Sequence, residues 1–195
     1  MPSQSHLLSY ICILRMEHTG KTMITISVKD YNQISQDYYE TIINSLQFHR
    51  LTCSCGHCGC LTIHGYYRRG IYLPDRTLML KVCRVKCSEC GYTHTLLLSS
   101  IVPYSRIRTV DQHTIIIAYE AASGITSICD DNPSIDEKTA CSVVRRYLRF
   151  WKQRLLSERI SFMKLPSLIQ SCFSHYSMQF MQIRSTPNQL FSCPT

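Results

Sequence analysis

Two short stretches constrain this chain more than anything else in it: "LTCSCGHCGC", residues 51 to 60, and "KCSECGYTH", which begins at Lys86. They hold six of the twelve cysteines. Each contains a CxxCG unit, Cys55-Gly56-His57-Cys58-Gly59 and Cys87-Ser88-Glu89-Cys90-Gly91. A CxxC pair lets one tight turn aim two sulfurs at the same ion, and the trailing glycine removes a Cβ where backbone amides fold toward those sulfurs. Two such pairs around a hairpin are the sequence form of a zinc ribbon, so the spacing predicts a metal site of Cys55, Cys58, Cys87 and Cys90. Cys53 and Cys60 flank the first pair and are alternates, since Cys55 with Cys60 or Cys53 with Cys58 also remain open. Zinc is the expected ion and iron in a rubredoxin-like site its rival. A site with no open position is structural: it clamps a hairpin too small to bury much core, and metal binding becomes folding energy.

The remaining sulfurs and histidines read more plainly. His57 is expected as an exposed knuckle residue and His64 as a strand residue, neither of them a ligand. Cys12, Cys83, Cys129, Cys141, Cys172 and Cys193 have no close cysteine partner in sequence and read as isolated reduced thiols. Clustered rather than dispersed cysteines point to metal in a reducing compartment, not to a secreted disulfide scaffold. The apolar run "LLSYICIL" is too short to span a bilayer and has no basic residue before it or small-residue cleavage site after it. The expectation is a soluble, cytoplasmic protein without a membrane partner, in which residues 1 to 22 could be an extension outside the domain.

Between the clusters, "LTIHGYYRRGIYL" reads as one hairpin arm and "TLMLKVCRVKC" as its return, with Leu78, Leu80, Val82 and Arg84 on one face and "PDR" at the turn. Upstream, "TMITISV" reads as a strand, and Asp30 opens a stretch in which Ile34, Tyr38, Ile42 and Leu46 recur at helical spacing. Downstream, "IVPYSRIRT" is a connector, and "VDQHTIIIAYEAASG" a helix stopped by Gly124. Gly124 to Pro133 is short for a second helix. Ser134 with Glu137 forms a capping-box signature for a long helix whose apolar stripe is Ala140, Val143, Val144, Tyr147, Leu148, Trp151 and Leu155. The tail from Pro166 through "LIQSCFSHYSMQF" has the pattern of a final helix. The expected fold is α+β: a small zinc-ribbon β-hairpin domain at 50–105, an N-terminal strand and helix at 1–49, and a helical region at 106–195, with a degenerate helix-turn-helix as one form of it.

Charge supplies the functional expectation. The chain has 21 Lys and Arg against 13 Asp and Glu, a formal charge of +8, and the excess sits in two blocks. Residues 61–90 carry six basic side chains against two acidic, and residues 136–159 carry seven against three. Localised basic charge suits a polyanion. Tyr66, Tyr67, Arg68, Arg69, Arg84 and Lys86 mix aromatic and basic groups on the ribbon, the combination that contacts bases and phosphates. Arg145, Arg146, Arg149 and Lys152 lie off the apolar stripe of the long helix. No Walker loop, nucleophile elbow or HExxH occurs, and the acids Asp111, Glu120, Asp130, Asp131 and Asp136 lie on or between helices without a ribonuclease-H-like core around them. The expectation is a non-enzyme that binds DNA, with a zinc-stabilised protein-interaction module as the alternative.

At "HGYYRRG" and "CRVKCSECGYTHTLLLSSIVPYS", with the cysteines before them, the chain resembles a bacterial family of uncharacterised proteins associated with transposases and mobile elements. The resemblance covers roughly residues 50 to 105 with specific motifs. It implies a zinc ribbon followed by a helix-turn-helix-like segment, and DNA or a transposase protein as partner. By position, Cys87 and Cys90 match the family's second cysteine pair, and His64, Gly65, Tyr66, Tyr67, Thr93, His94, Pro103, Tyr104 and Ser105 match its motif text. Within the first cluster it implies Cys53, Cys55 and Cys60, the position of Cys58 not requiring cysteine.

Overall fold

The computed structural model describes residues 17–18, 23–130 and 133–157. The expected extension at 1–22 lies almost wholly outside these residues, as do the final helix and Cys12, Cys172 and Cys193. The architecture is mixed α and β, and the chain divides into two compact units, Met1–Gly70 with Met79–Ser100 and Ile71–Leu78 with Ile101–Thr195. Among the described residues no helix is long and apolar enough to cross a membrane.

The first unit is built on a five-stranded sheet of β1 (Glu17–His18), β2 (Met23–Ile26), β3 (Leu61–Tyr72), β4 (Thr77–Cys87) and β5 (Thr93–Leu98), in the order β1-β2-β5-β4-β3. β2 runs parallel to β5, with Ile24 opposite Leu96 and Ile26 opposite Leu98, and β4 runs antiparallel to β5, with Val85 opposite His94. Every residue of β2 and Leu96, Leu97 and Leu98 of β5 are buried. A continuous apolar run of this kind is what a strand covered on both faces requires. β3 lies at the sheet edge, and all of it but Leu61 and Ile71 is exposed or half-buried.

Helix α1 (Gln36–Ser45) begins where the Ser35 hydroxyl accepts from the Tyr38 amide at 3.0 Å. Asp30 does not open it; its carboxylate instead accepts from the Asn32 and Gln33 amides in a turn before the helix. The buried face is Tyr39, Ile42 and Ile43, one position round from the expected stripe. This helix completes the sheet. The recorded β4–β5 pairing stops at Arg84 opposite Thr95, and there the Tyr39 hydroxyl accepts from the Cys83 amide at 2.8 Å and donates to the Leu96 carbonyl at 2.9 Å. Two residues on, the Gln36 side chain accepts from the Lys81 amide at 2.7 Å and donates to its carbonyl at 3.4 Å. Side chains thus stand in for ladder bonds that the separating strands no longer make.

The separation also explains a correction to the expected alternation of β4. Leu80 and Val82 are buried as the sequence implies, but Arg84 is exposed, and from Cys83 onward the buried set is Cys83, Val85 and Cys87. The inward face changes where Tyr39 inserts.

The second unit contains the hairpin tip, the connector 101–108 and helices α2 (Thr109–Glu120), α3 (Ile125–Asp130), α4 (Glu137–Arg146) and α5 (Lys152–Ser157), with a π-helical segment at Tyr147–Trp151. The connector is fixed by the Tyr72 amide donating to Arg106 at 2.8 Å, by Gln112 donating to Ser105 at 3.2 Å, and by a two-pronged Arg108–Asp111 pair at 2.6 and 2.7 Å. α2 ends four residues before Gly124: Ala122 takes the left-handed conformation at φ 61°, with its amide on Tyr119 and the Ser123 amide on Ala118, a Schellman closure made without glycine. The segment that reads as too short for a second helix does form α3, so residues 109–146 hold three helices rather than two.

α4 is capped by Asp136, whose carboxylate accepts from the Thr139 amide at 2.7 Å, a bond that lowers its pKa. Ser134 is not the cap, because Glu137, the partner a capping box would need, accepts instead from the Thr126 hydroxyl of α3 at 2.9 Å. Ala140, Val143, Val144, Tyr147, Trp151 and Leu155 pack with Ile107, Ile115, Ile116, Ile128 and Ile135 in the core of this unit. Leu148, placed on the same stripe by 3.6-residue spacing, is exposed. The π segment turns the chain less per residue, so Tyr147 and Trp151 both face inward and Leu148 rotates out.

Two outcomes follow. Tyr39→Phe leaves the Cys83 amide and Leu96 carbonyl without their bridge and is expected to cost roughly 1 to 3 kcal/mol in denaturant unfolding. His113 of α2 is fully buried, and burial brings its pKa down to about 3. A depressed histidine pKa contributes stability above the unfolded value of about 6.5 and loses it as pH falls toward the folded value. Thermal unfolding between pH 6.5 and 4 is therefore expected to show a steeper loss in the native chain than in His113→Gln, by up to about 1.4 kcal/mol per pH unit.

Candidate metal centre

The sulfurs are brought together by two tight turns of different design. In the first, Thr52 pairs with Cys58, the Cys53 amide donates to His57 at 2.8 Å, and Gly56 at φ 91° closes the tip by donating to Cys53. Gly59, at φ 72°, then redirects the chain: a Cβ there would meet the His49 carbonyl at 3.0 Å. Its amide donates to Leu51. Because of this kink Cys58 and Cys60 do not share a direction. Cys60 is buried, whereas Cys58 is exposed with its sulfur 3.5 Å from the His49 carbonyl.

In the second turn the Cys90 amide points at the Cys87 sulfur at 3.4 Å, and Gly91, at φ 72°, donates to the Cys87 carbonyl at 3.1 Å. The Cys87 amide, donating to Tyr92, closes the loop between β4 and β5. The two turns are tied directly, by the Ser88 amide on the Cys60 carbonyl at 2.8 Å.

The result is a group of four sulfurs, Cys53, Cys55, Cys60 and Cys87, all within 4.8 Å of one another, that could hold a metal ion. Cys90 adjoins it, 3.6 Å from Cys53. Cys55 and Cys87 are 3.8 Å apart, and Cys60 and Cys87 3.3 Å. Four sulfurs at about 2.3 Å from a tetrahedral ion stand about 3.8 Å from each other, the separation of Cys55 and Cys87. No disulfide joins any of the described cysteines.

Of the four ligands expected from sequence, Cys55 and Cys87 thus fall inside the group, while Cys58 falls outside it and Cys90 only adjoins it. Cys53 and Cys60, the alternates, lie within. CxxC spacing misleads at Cys55–Cys58 because the turn that forms spans Cys53 to His57, one step earlier in the chain.

The thiols are not equivalent. Burial opposes ionisation of Cys87, yet the amide of Cys90 and the thiols of Cys60 and Cys90 outweigh it and bring its pKa down to about 6. Burial and the neighbouring Cys87 push Cys60 up to about 12. At Cys90 the Tyr92 backbone favours the thiolate, but burial together with Cys87, Cys53 and Cys55 prevails and pushes it up to about 12. A divalent cation bound there would favour ionisation of every thiol that ligates it, Cys60 as well as Cys87.

His94 is the residue that sequence reasoning left without a role. It sits on β5, fully buried, with Nε2 3.2 Å from the Cys53 sulfur. With its proton on Nε2 the ring would donate to that sulfur in the manner of an outer-shell partner. Its signal was present, a histidine four residues beyond Cys90 at an inward strand position. His57 lies on the exposed side with Nδ1 3.4 Å from Cys55, a contact that raises its pKa.

The predicted nucleic-acid residues are distributed rather than gathered. Tyr66 and Arg68 are exposed and alternate with the half-buried Tyr67 and Arg69, so β3 presents them on opposite faces. Lys81 lies over the Tyr66 ring at 4.5 Å. Arg84 and Lys86 are exposed on β4. In the second unit Arg145 and Arg149 are exposed, Arg146 is half-buried, and Lys152 is paired with Glu120 at 2.9 Å. Lys152 is therefore already committed within the unit.

No protein-family model, curated protein or solved structure matches the chain.

Five neighbouring sulfurs, one more than a tetrahedral ion would use, give a specific expectation for purified protein assayed by elemental analysis. Cys58→Ala retains one equivalent of metal. Cys60→Ala or Cys90→Ala alone retains it with weakened resistance to chelator, because the remaining sulfur completes the set, and the double substitution loses it. Loss of metal from Cys58→Ala would contradict the ligand geometry.

Proposed function

We propose that the protein binds DNA through the outer face of α4, and that the first unit is a zinc ribbon whose closed tetrathiolate site is structural. The observation that carries this reading is a stripe on α4 and its π-helical continuation: Lys138, Ser142, Arg145 and Arg149 follow one another at steps of four, three and four, and all are exposed. This places them on the side away from Ala140, Val143, Val144 and Tyr147. No acid interrupts the stripe. An α-helix of this kind fits the major groove, with cations on phosphates and shorter polar groups on base edges. A three-helix unit whose last helix carries the contacts is the arrangement that helix-turn-helix proteins use. Zinc rather than iron is the ion favoured by an all-thiolate tetrahedral set with no electron-transfer partner in view. In this reading the protein performs no chemistry of its own and serves recognition, in the setting of a transposase or mobile element.

A second reading has its own support. β3 is a twelve-residue edge strand, and Ile63, Tyr66, Met79 and Tyr92 of the same unit are large apolar side chains exposed by about half. Unpaired strand edges beside exposed apolar groups are surfaces on which another chain adds a strand. A protein partner taken up there is compatible with α4 on DNA.

Fluorescence anisotropy with duplex DNA across a salt series distinguishes these readings. The native chain is expected to bind with strongly salt-dependent affinity, and Arg145→Ala with Arg149→Ala to reduce the salt slope by about 2. Absence of binding at low salt would remove the DNA reading and leave the edge-strand one.

A further inference from the structure

The second unit contains a cleft of about 330 Å³ beside the α4 stripe. Arg106, Lys138 and Arg146 line it, with Tyr72, Tyr104 and Ser142, and no carboxylate is among the lining residues. Three cations converging on one small concavity favour an anion there, and its volume is at the lower end of those that enclose small organic ligands.

Two features specify the anion further. The Arg106 guanidinium is held over the Tyr72 ring at 5.7 Å and donates to its hydroxyl at 3.2 Å, so this cation is positioned in advance. Tyr104, at the rim, is 61% exposed and has φ 59°. A bulky aromatic residue in the left-handed region is uncommon, and such conformations concentrate at functional sites. The connector on either side is fixed, by the Ser105 amide on Val102 and by Gln112 on the Ser105 hydroxyl. The chain thus maintains an unfavourable backbone to display a ring to solvent next to three positive charges.

The geometry points to a nucleotide-sized subsite: the cleft takes one phosphodiester on Arg106, Lys138 and Arg146, and Tyr104 stacks on the adjoining unpaired base. Rings recognise any base face once it leaves the helical stack, whereas in a duplex that face is covered. The subsite therefore adds affinity for a nucleic acid that offers an unpaired base beside a phosphodiester, over and above the groove contacts of α4. This rests on the nucleic-acid reading of the same unit but involves residues outside the Arg145 and Arg149 pair.

The test uses the full-length metal-loaded chain and two probes, a ten-nucleotide oligothymidylate and a duplex without overhangs, followed by anisotropy. Tyr104→Leu is expected to weaken oligothymidylate binding about tenfold and to leave the duplex unchanged, with Tyr104→Phe restoring native affinity. Arg146→Ala is expected to lower the single-strand salt slope by about 0.7. Circular dichroism and thermal melts of each variant identify any loss of fold, and Ser142→Leu, which fills the cleft from an exposed position without adding charge, supplies an independent block. If native protein binds DNA but Tyr104→Leu, Arg146→Ala and Ser142→Leu all bind oligothymidylate as it does, the subsite is overturned while the DNA reading stands. If the native chain binds neither probe, both fall.

Discussion

Sulfurs gathered at 3.3 to 3.8 Å in a corner largely shielded from water are an unstable arrangement on their own. As thiolates they repel, and as thiols they compete for few hydrogen-bond acceptors. Cys87 illustrates the conflict, favoured as thiolate by the Cys90 amide while Cys60 and Cys90 are held protonated beside it. A single cation bound there would neutralise several charges at once. The first turn, the β4–β5 loop and the buried His94 all border that point.

From this corner the order of the first unit extends outward. Cys87 ends β4 and Cys60 immediately precedes β3, so the cysteine group lies at the base of the long hairpin, where the Ser88 amide on the Cys60 carbonyl ties its two arms. His94 couples the group to β5, the central strand, and Tyr39 then holds β5 to β4 where their ladder opens. In the second unit the corresponding role falls to an apolar core around Trp151 and Tyr147 and to the Arg108–Asp111 pair at the start of α2. The caps of that unit are local, and its outer face is free to carry charge.

How far the sequence disclosed this depends on the kind of signal. Hairpin arms, the N-terminal strand, α2 and the apolar side of α4 were legible because period-two and period-3.6 burial leave a direct trace in residue type. What escaped were features set by tertiary context. CxxC spacing favoured Cys58, but Gly59 redirects the chain against His49 and leaves Cys60 pointing inward. The Ser134 capping box was legible as text, yet Glu137 is engaged by Thr126 of another helix. Gly124 offered the usual helix stop, and Ala122 took the left-handed position first. His94 looked like any strand histidine until β5 was placed against Cys53.

X-ray absorption at the metal edge of the native, chelator-free protein tests the central claim most directly. A single shell of four sulfurs at about 2.3 Å is the predicted result. A shell containing two or more nitrogen or oxygen ligands, or protein that folds fully with no metal bound, would contradict it.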